Sequence, residues 1–244
     1  MNILYKMHVG IIPDGNRRWA KKKGISGSKI SKYWEKIIHF SIIFLIEFIK
    51  NTKINDKKIS EICKEVGLEN DDSYIDICEL SDKLKEIKLD ELSVYILSTD
   101  NCTRNDGTRE NIFHLLRYID SKLPENFPFD VRVFGKLELL PEEIRDLLQS
   151  ITSKARKKNS FKINLAIAYD PIDDIKKCRL GETDQSQIDL VIRSGGEKRS
   201  SGFFPCHTLY SEWYYTDVMW PEMKPSDFIN SIKYFLSRNR RFGK

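Results

Sequence analysis

Two runs near opposite ends of the chain carry residue types able to do chemistry. They are His8-Val9-Gly10-Ile11-Ile12-Pro13-Asp14-Gly15-Asn16-Arg17-Arg18-Trp19 and Asp189-Leu190-Val191-Ile192-Arg193-Ser194-Gly195-Gly196-Glu197-Lys198-Arg199-Ser200-Ser201-Gly202. Each passes from apolar β-forming residues into glycine, arginine and polar side chains beside a carboxylate. Glycine lets a backbone come close to a phosphate, arginine gives it bidentate charge-assisted hydrogen bonds, and a helix start offers unpaired N–H groups. Two such junctions on adjacent strands would hold two diphosphates. Asp14 is the odd member, since a carboxylate repels phosphate unless a cation lies between, and it reads as a Mg²⁺ contact. Its plainer role is to N-cap the following helix, and the two roles are compatible.

In the second run Arg193 marks the strand end, and Arg199, Ser200 and Ser201 follow at a spacing that can fold back on one anion. A Ser/Gly/Arg loop by itself is more often a solvated turn. The continuation Tyr210-Ser211-Glu212-Trp213-Tyr214-Tyr215-Thr216-Asp217-Val218-Met219-Trp220-Pro221 raises its weight, because so many aromatics are costly to expose and Glu212 adds a further carboxylate.

These runs resemble the cis-prenyltransferases, the family of undecaprenyl and dehydrodolichyl diphosphate synthases. A weaker central match is Val94-Tyr95-Ile96-Leu97-Ser98-Thr99-Asp100-Asn101-Cys102-Thr103-Arg104, and the tail Arg238 to Gly243 is similar to the family's C-terminal arginines and Arg-x-Gly ending. The resemblance implies Asp14 as a catalytic, Mg²⁺-associated aspartate and Gly15, Asn16, Arg17 and Arg18, with Trp19 beside them, as the allylic diphosphate cradle. It implies Asn101 near the departing proton, with Ser98, Thr99, Asp100 and Arg104 as neighbouring substrate contacts. Arg193, Arg199, Ser200 and Ser201 then form the homoallylic diphosphate site, and Glu212 helps place the metal. The implied reaction joins isopentenyl or dimethylallyl diphosphate to an allylic prenyl diphosphate, releasing pyrophosphate. Such chemistry needs no covalent nucleophile, only alignment and stabilisation of the leaving charge. An amide is a poor base, so Asn101 orients a diphosphate or water rather than acting alone.

The 244 residues, 40% hydrophobic, suffice for one α/β core. A net charge of +5 fits anionic substrates or a membrane surface; nucleic acid is disfavoured because the basic residues form no stripe. Cys63, Cys78, Cys102, Cys178 and Cys206 lack C-x-x-C spacing, which favours free thiols and a cytoplasmic setting, with peripheral membrane contact left open. No targeting segment is visible, and the apolar run Ile37 to Ile49 is too short to span a bilayer. It reads as a core helix whose Ile38, Ile42, Leu45 and Ile49 can also line a hydrocarbon channel.

Periodicity places strands at about 8–12, 92–97, 130–134, 161–168, 189–193 and 213–217, and helices at about 17–23, 31–50, 109–122, 140–156 and 226–240. The expected fold is a single α/β domain over 1–244, with a mostly parallel six-stranded central sheet flanked by helices. A charged segment at about 51–87 reads as a helical insertion. The resemblance implies a homodimer through the C-terminal half, the tail reaching the partner's site. Against the family pattern, an arginine and a histidine are missing near Gly27 and Ser31, Leu97 and Cys102 replace larger aromatics, and Ala168-Tyr169-Asp170-Pro171-Ile172 replaces a Gly-Gly-Arg turn. These departures point to a short-chain or irregular, lavandulyl-type product. Alternatives are a catalytically silent subunit of a heteromer, disfavoured by the intact Asp-Gly-Asn cradle, or a prenyl diphosphate cyclase using the first site alone.

Overall fold

In the computed structural model, residues 5–25, 87–104, 107–122, 129–154, 161–182 and 185–241 are described. The expected helix at 31–50, its channel-lining face, Gly27, Ser31 and all but the last residue of the segment at 51–87 lie outside them. Ile87 itself opens a strand.

Six strands form one sheet: β1 (Tyr5–Ile12), β2 (Ile87–Ser98), β3 (Phe129–Phe134), β4 (Phe161–Tyr169), β5 (Leu190–Arg193) and β6 (Glu212–Tyr215). Their spatial order is β3-β4-β2-β1-β5-β6 and every neighbouring pair is parallel, as expected from the alternation of strands and helices. Around them lie α1 (Asn16–Lys22), α2 (Thr99–Cys102), α3 (Thr108–Lys122), α4 (Glu142–Lys154), α5 (Pro171–Arg179) and α6 (Pro225–Ser237).

The strand order has a consequence for function. From β1 the chain moves to β2 on one side, and after β4 it returns to place β5 on the other side of β1. In open parallel sheets such a reversal leaves a crevice at the strands' carboxyl ends, where ligands bind. Here that crevice lies between the ends of β1 and β5.

Alternation along the central strands splits the core in two, because successive side chains point to opposite faces. Val9, Ile11, Leu190 and Ile192 join Trp220, Met223 and the α6 residues Phe228, Ile232 and Phe235. Ile12 and Val191 instead join Tyr169, Ile188, Phe203 and Phe204. A third cluster packs Ile112, Phe113 and Leu116 of α3 and Ile144 and Leu148 of α4 against Leu97 and Ile167.

Several elements differ from the periodicity. The strand expected at 92–97 starts at Ile87, because the polar residue Glu91 is buried within it rather than bounding it. Within the sheet Asn164 donates to Glu91 (2.6 Å) and to Ser93 (3.0 Å), and the His8 ring meets the Ser93 hydroxyl at 2.8 Å. Helix α5 was not expected. Its signal lay in Asp170-Pro171: the Asp170 carboxylate accepts from the Ile172 and Asp173 amides and Pro171 occupies the first turn. The last helix stops at Ser237, short of the expected 240.

Candidate active site

The loop after β1 is built around Gly15, which takes φ +95 and serves as the N-cap of α1 with no side-chain cap. A Cβ there would lie 3.1 Å from Met219, so glycine satisfies both the backbone and the packing. Asp14 does not cap the helix. Its Oδ1 accepts from the Gly15 N–H at 2.6 Å, and its Oδ2 accepts from Arg193 Nη2 at 2.9 Å, across 179 positions of sequence. Arg18, in the first turn of α1, approaches Oδ1 at 3.4 Å.

Arg193 ends β5 with only 3% of its surface exposed. Its Nη1 donates to the Arg199 carbonyl and, at 2.7 Å, to Ser201 Oγ, so one planar guanidinium ties Asp14 to the 199–201 segment. Its Nε is buried with no hydrogen-bond partner among the described residues. Ser194 completes the junction: its hydroxyl accepts from the Asp14 N–H and donates to the Asp14 carbonyl, both at 2.9 Å. Gly195 comes so close that a Cβ would meet Asp14 backbone and Arg18 Nη2 at 2.9 Å. The loop after β6 joins the same seam, with Trp220 N–H bonded to the Asp14 carbonyl (3.0 Å) and Gly195 N–H to the Val218 carbonyl (2.8 Å).

Burial raises the Asp14 pKa, but the hydrogen bonds from Arg193 and from the Gly15 amide outweigh it, so the carboxyl titrates below its ordinary range. Glu197 pairs with Arg199 and lies 3.6 Å from Arg18, so one carboxylate bridges arginines of both loops. Its position among so many arginines was the available signal. Ser194 and Glu197 join the candidate site through these contacts, although neither stands out in the sequence.

Other expected site residues fall into three groups. Ser98 ends β2 on the same carboxyl edge, and its hydroxyl caps α2 by accepting from the Asn101 N–H at 3.2 Å. Thr99, Asp100 and Asn101 form that short helix, and Arg104 lies exposed just beyond it. Arg17, Arg199, Ser200 and Ser201 are exposed around the junction, while the Asn16 amide turns back to donate to the Pro13 carbonyl at 2.7 Å. Trp19, expected beside the cradle, is buried, with 6% of its surface exposed.

Glu212 is not brought to Asp14. It stands opposite Leu190 in the β5–β6 register, whereas Arg193 stands opposite Tyr215, so it lies three residues, about 10 Å, toward the amino ends. There it pairs with Arg238 at 3.1 Å. The described part of the tail lies at the same edge, where Arg240 bonds Asp189 (2.7 Å) and Tyr5 (2.6 Å).

A cation carried by a diphosphate needs only one or two protein carboxylates, because phosphate oxygens and water complete its shell. Asp14, with a 30% exposed side chain, fits such a role. Among the described residues no group of three or more His, Cys, Asp or Glu side chains is placed to hold a metal ion.

Comparison with known proteins places this geometry in context. The family described as "Putative undecaprenyl diphosphate synthase" matches residues 63–180 and 175–243, beginning inside the segment at 51–87. The tritrans,polycis-undecaprenyl-diphosphate synthase (geranylgeranyl-diphosphate specific) of Pyrococcus abyssi is 30% identical, over 97% of this chain and 86% of its own. The isoprenyl transferase of Aquifex pyrophilus is 27% identical over 100% and 98%. Among solved structures, lavandulyl diphosphate synthase from Lavandula x intermedia, crystallised with dimethylallyl diphosphate, shares the fold with a TM-score of 0.66 at 19% identity. It covers 97% of this chain and 98% of that one. A probable undecaprenyl diphosphate synthase from Campylobacter jejuni gives 0.63 at 23% identity, with both chains covered completely.

Proposed function

This chain belongs to the undecaprenyl diphosphate synthase family of prenyl-transferring enzymes, and from that premise we propose that it condenses isopentenyl diphosphate with an allylic prenyl diphosphate, with Mg²⁺, releasing pyrophosphate. The observation that carries the proposal is the contact of Asp14 with Arg193 at the reversal point of the sheet. It joins two arginine-rich loops into one surface.

In this reading Gly15, Asn16, Arg17 and Arg18 take the allylic diphosphate, and Arg193, Arg199, Ser200 and Ser201 take that of the second substrate. The buried Nε of Arg193, without a partner among the described residues, supports an anion there, since an unsatisfied buried donor is costly and a phosphate oxygen would satisfy it. Asp14 would hold a Mg²⁺ ion at this site, which would supply charge neutralisation for the departing pyrophosphate. The arginines then hold both substrates in line, and Asn101, on the same edge, orients a diphosphate or water where the proton leaves. Arg18 and Arg199 must exchange Glu197 for phosphate as substrates enter.

The 10 Å offset of Glu212 bears on assembly. A single protomer does not bring it to Asp14, so any part it takes in metal binding is in a homodimer, toward another copy's site. Among the described residues no helix is long and apolar enough to cross a membrane.

A second reading concerns the product. Leu97 and Cys102, 1% and 6% exposed, change the wall where the family pattern has larger aromatics, and together with the arginine and histidine missing from the sequence near Gly27 and Ser31 this supports a short or irregular, lavandulyl-type product over a long one. One experiment tests both. The protein is incubated with Mg²⁺ and isopentenyl or dimethylallyl diphosphate, each alone or with geranyl, farnesyl or geranylgeranyl diphosphate, and products are analysed by mass and double-bond geometry. Pyrophosphate release with condensation is expected. Absence of condensation with every pair would overturn the activity, and elongation to long polyprenyl chains would overturn the second reading.

A further inference from the structure

We propose that Tyr95 is a positioning residue for the second diphosphate, acting as a brace that holds the Arg199–Phe204 segment in its binding shape. The inference rests on the reading of Arg193, Arg199 and Ser201 as that site.

The segment does not hold this shape by regular structure. Ser201 and Phe204 sit at φ +49 and φ +38, in left-handed conformations that side chains avoid unless their surroundings impose them. Phe203 and Phe204 fix one end, both wholly buried. Arg193 holds the Arg199 carbonyl and the Ser201 hydroxyl from the β5 side. That anchor is also a ligand group, so its hydrogen bonds must be shared once an anion arrives.

Tyr95 supplies the anchor that an anion leaves alone. It projects from β2, four residues after Glu91, and its hydroxyl donates to the Ser201 carbonyl at 3.3 Å. The ring is fixed between Tyr169 and Phe203, each at a centroid distance of 5.6 Å. Tyr95 thus ties β2, three residues before the Ser98 cap of the Asn101 helix, to the segment carrying Ser201. Burial, with the nearby Asp100 carboxylate, pushes its pKa up to about 12, so it stays a neutral donor at physiological pH.

Tyr95→Phe keeps the ring and removes only the hydroxyl, which separates bracing from packing. Two measurements are made on the full chain. In the ligand-free protein, hydrogen exchange of the 199–204 amides is expected to speed up about three- to tenfold, with the melting temperature nearly unchanged. In steady-state kinetics the KM for isopentenyl diphosphate is expected to rise about three- to tenfold, while the allylic KM and kcat move less than about twofold. Tyr95→Leu, which loses ring and hydroxyl, should add a fall in melting temperature. Unchanged exchange in Tyr95→Phe would overturn the brace, as would an equal rise of both KM values. If the wild-type protein turns over no prenyl diphosphate pair, the proposed activity fails, and the exchange measurement still decides whether Tyr95 braces the segment.

Discussion

The Asp14–Arg193 contact can be measured as an energy without any turnover. Nη2 and Oδ2 lie 2.9 Å apart, with side-chain exposures of 4% for Arg193 and 30% for Asp14. Two unit charges 4 Å apart attract by about 4 kcal/mol at an effective dielectric of 20, and a fully exposed pair retains less than about 1 kcal/mol. A half-buried pair with one screened member should lie between, at a coupling of about 1.5–3 kcal/mol. The assay is a double-mutant cycle in urea unfolding at pH 7 with Asp14→Asn, Arg193→Met and the double variant. Because the residues are 179 positions apart, coupling arises only if the two loops meet in solution. The sign with pH is also set. The folded pKa of Asp14 lies below its unfolded value of about 3.9, so the contribution is full above about pH 4 and fades as pH falls through the lowered value. A coupling below about 0.5 kcal/mol at pH 7 would refute the facing-loop geometry.

Other outcomes follow from particular contacts. Gly195→Ala places a Cβ 2.9 Å from Asp14 backbone at φ +83, and should destabilise the fold by about 2 kcal/mol or more while raising KM for both diphosphates. Wild-type stability with unchanged kinetics would contradict the close approach. Gly10→Ala drives a methyl to 2.6 Å from Phe203 and should lower stability by about 1–3 kcal/mol in urea unfolding. Asp170→Ala removes the cap of α5 and should cost about 1 kcal/mol, or about 2–4 °C in melting temperature. Burial lowers the pKa of His8 and of His207, so stability should be full above about pH 6.5 and fall as acidification passes their lowered values. His207→Phe should flatten that slope in melting curves taken between pH 7 and 5, and an unaltered slope would count against a neutral buried His207.

Much of the framework was legible in the linear chain. Val9-Gly10-Ile11-Ile12 and Leu190-Val191-Ile192 are apolar runs cut off by glycine and arginine, and both proved to be central parallel strands ending at the candidate site. The stripe Phe228, Ile232 and Phe235 announced a helix packed on the sheet. Burial of Glu91 is not legible, because a polar residue reads as a boundary unless its partner is known, and its partner Asn164 lies on β4. Helix α5 was overlooked because Asp170-Pro171 reads equally as a turn until the Asp170 carboxylate is seen on the Ile172 amide.

The sequence by itself determined which groups are present: the glycines that permit close approach, the arginines that favour anions and the carboxylate set among them. These are local properties of short segments, and composition expresses them directly. Only the tertiary structure decided which groups meet. The reversal of strand order on either side of β1 brought Arg193 onto Asp14, and parallel register carried Glu212 about 10 Å away toward the opposite edge. Pairing across 179 residues depends on how strands are ordered in space, and no local pattern encodes that distance.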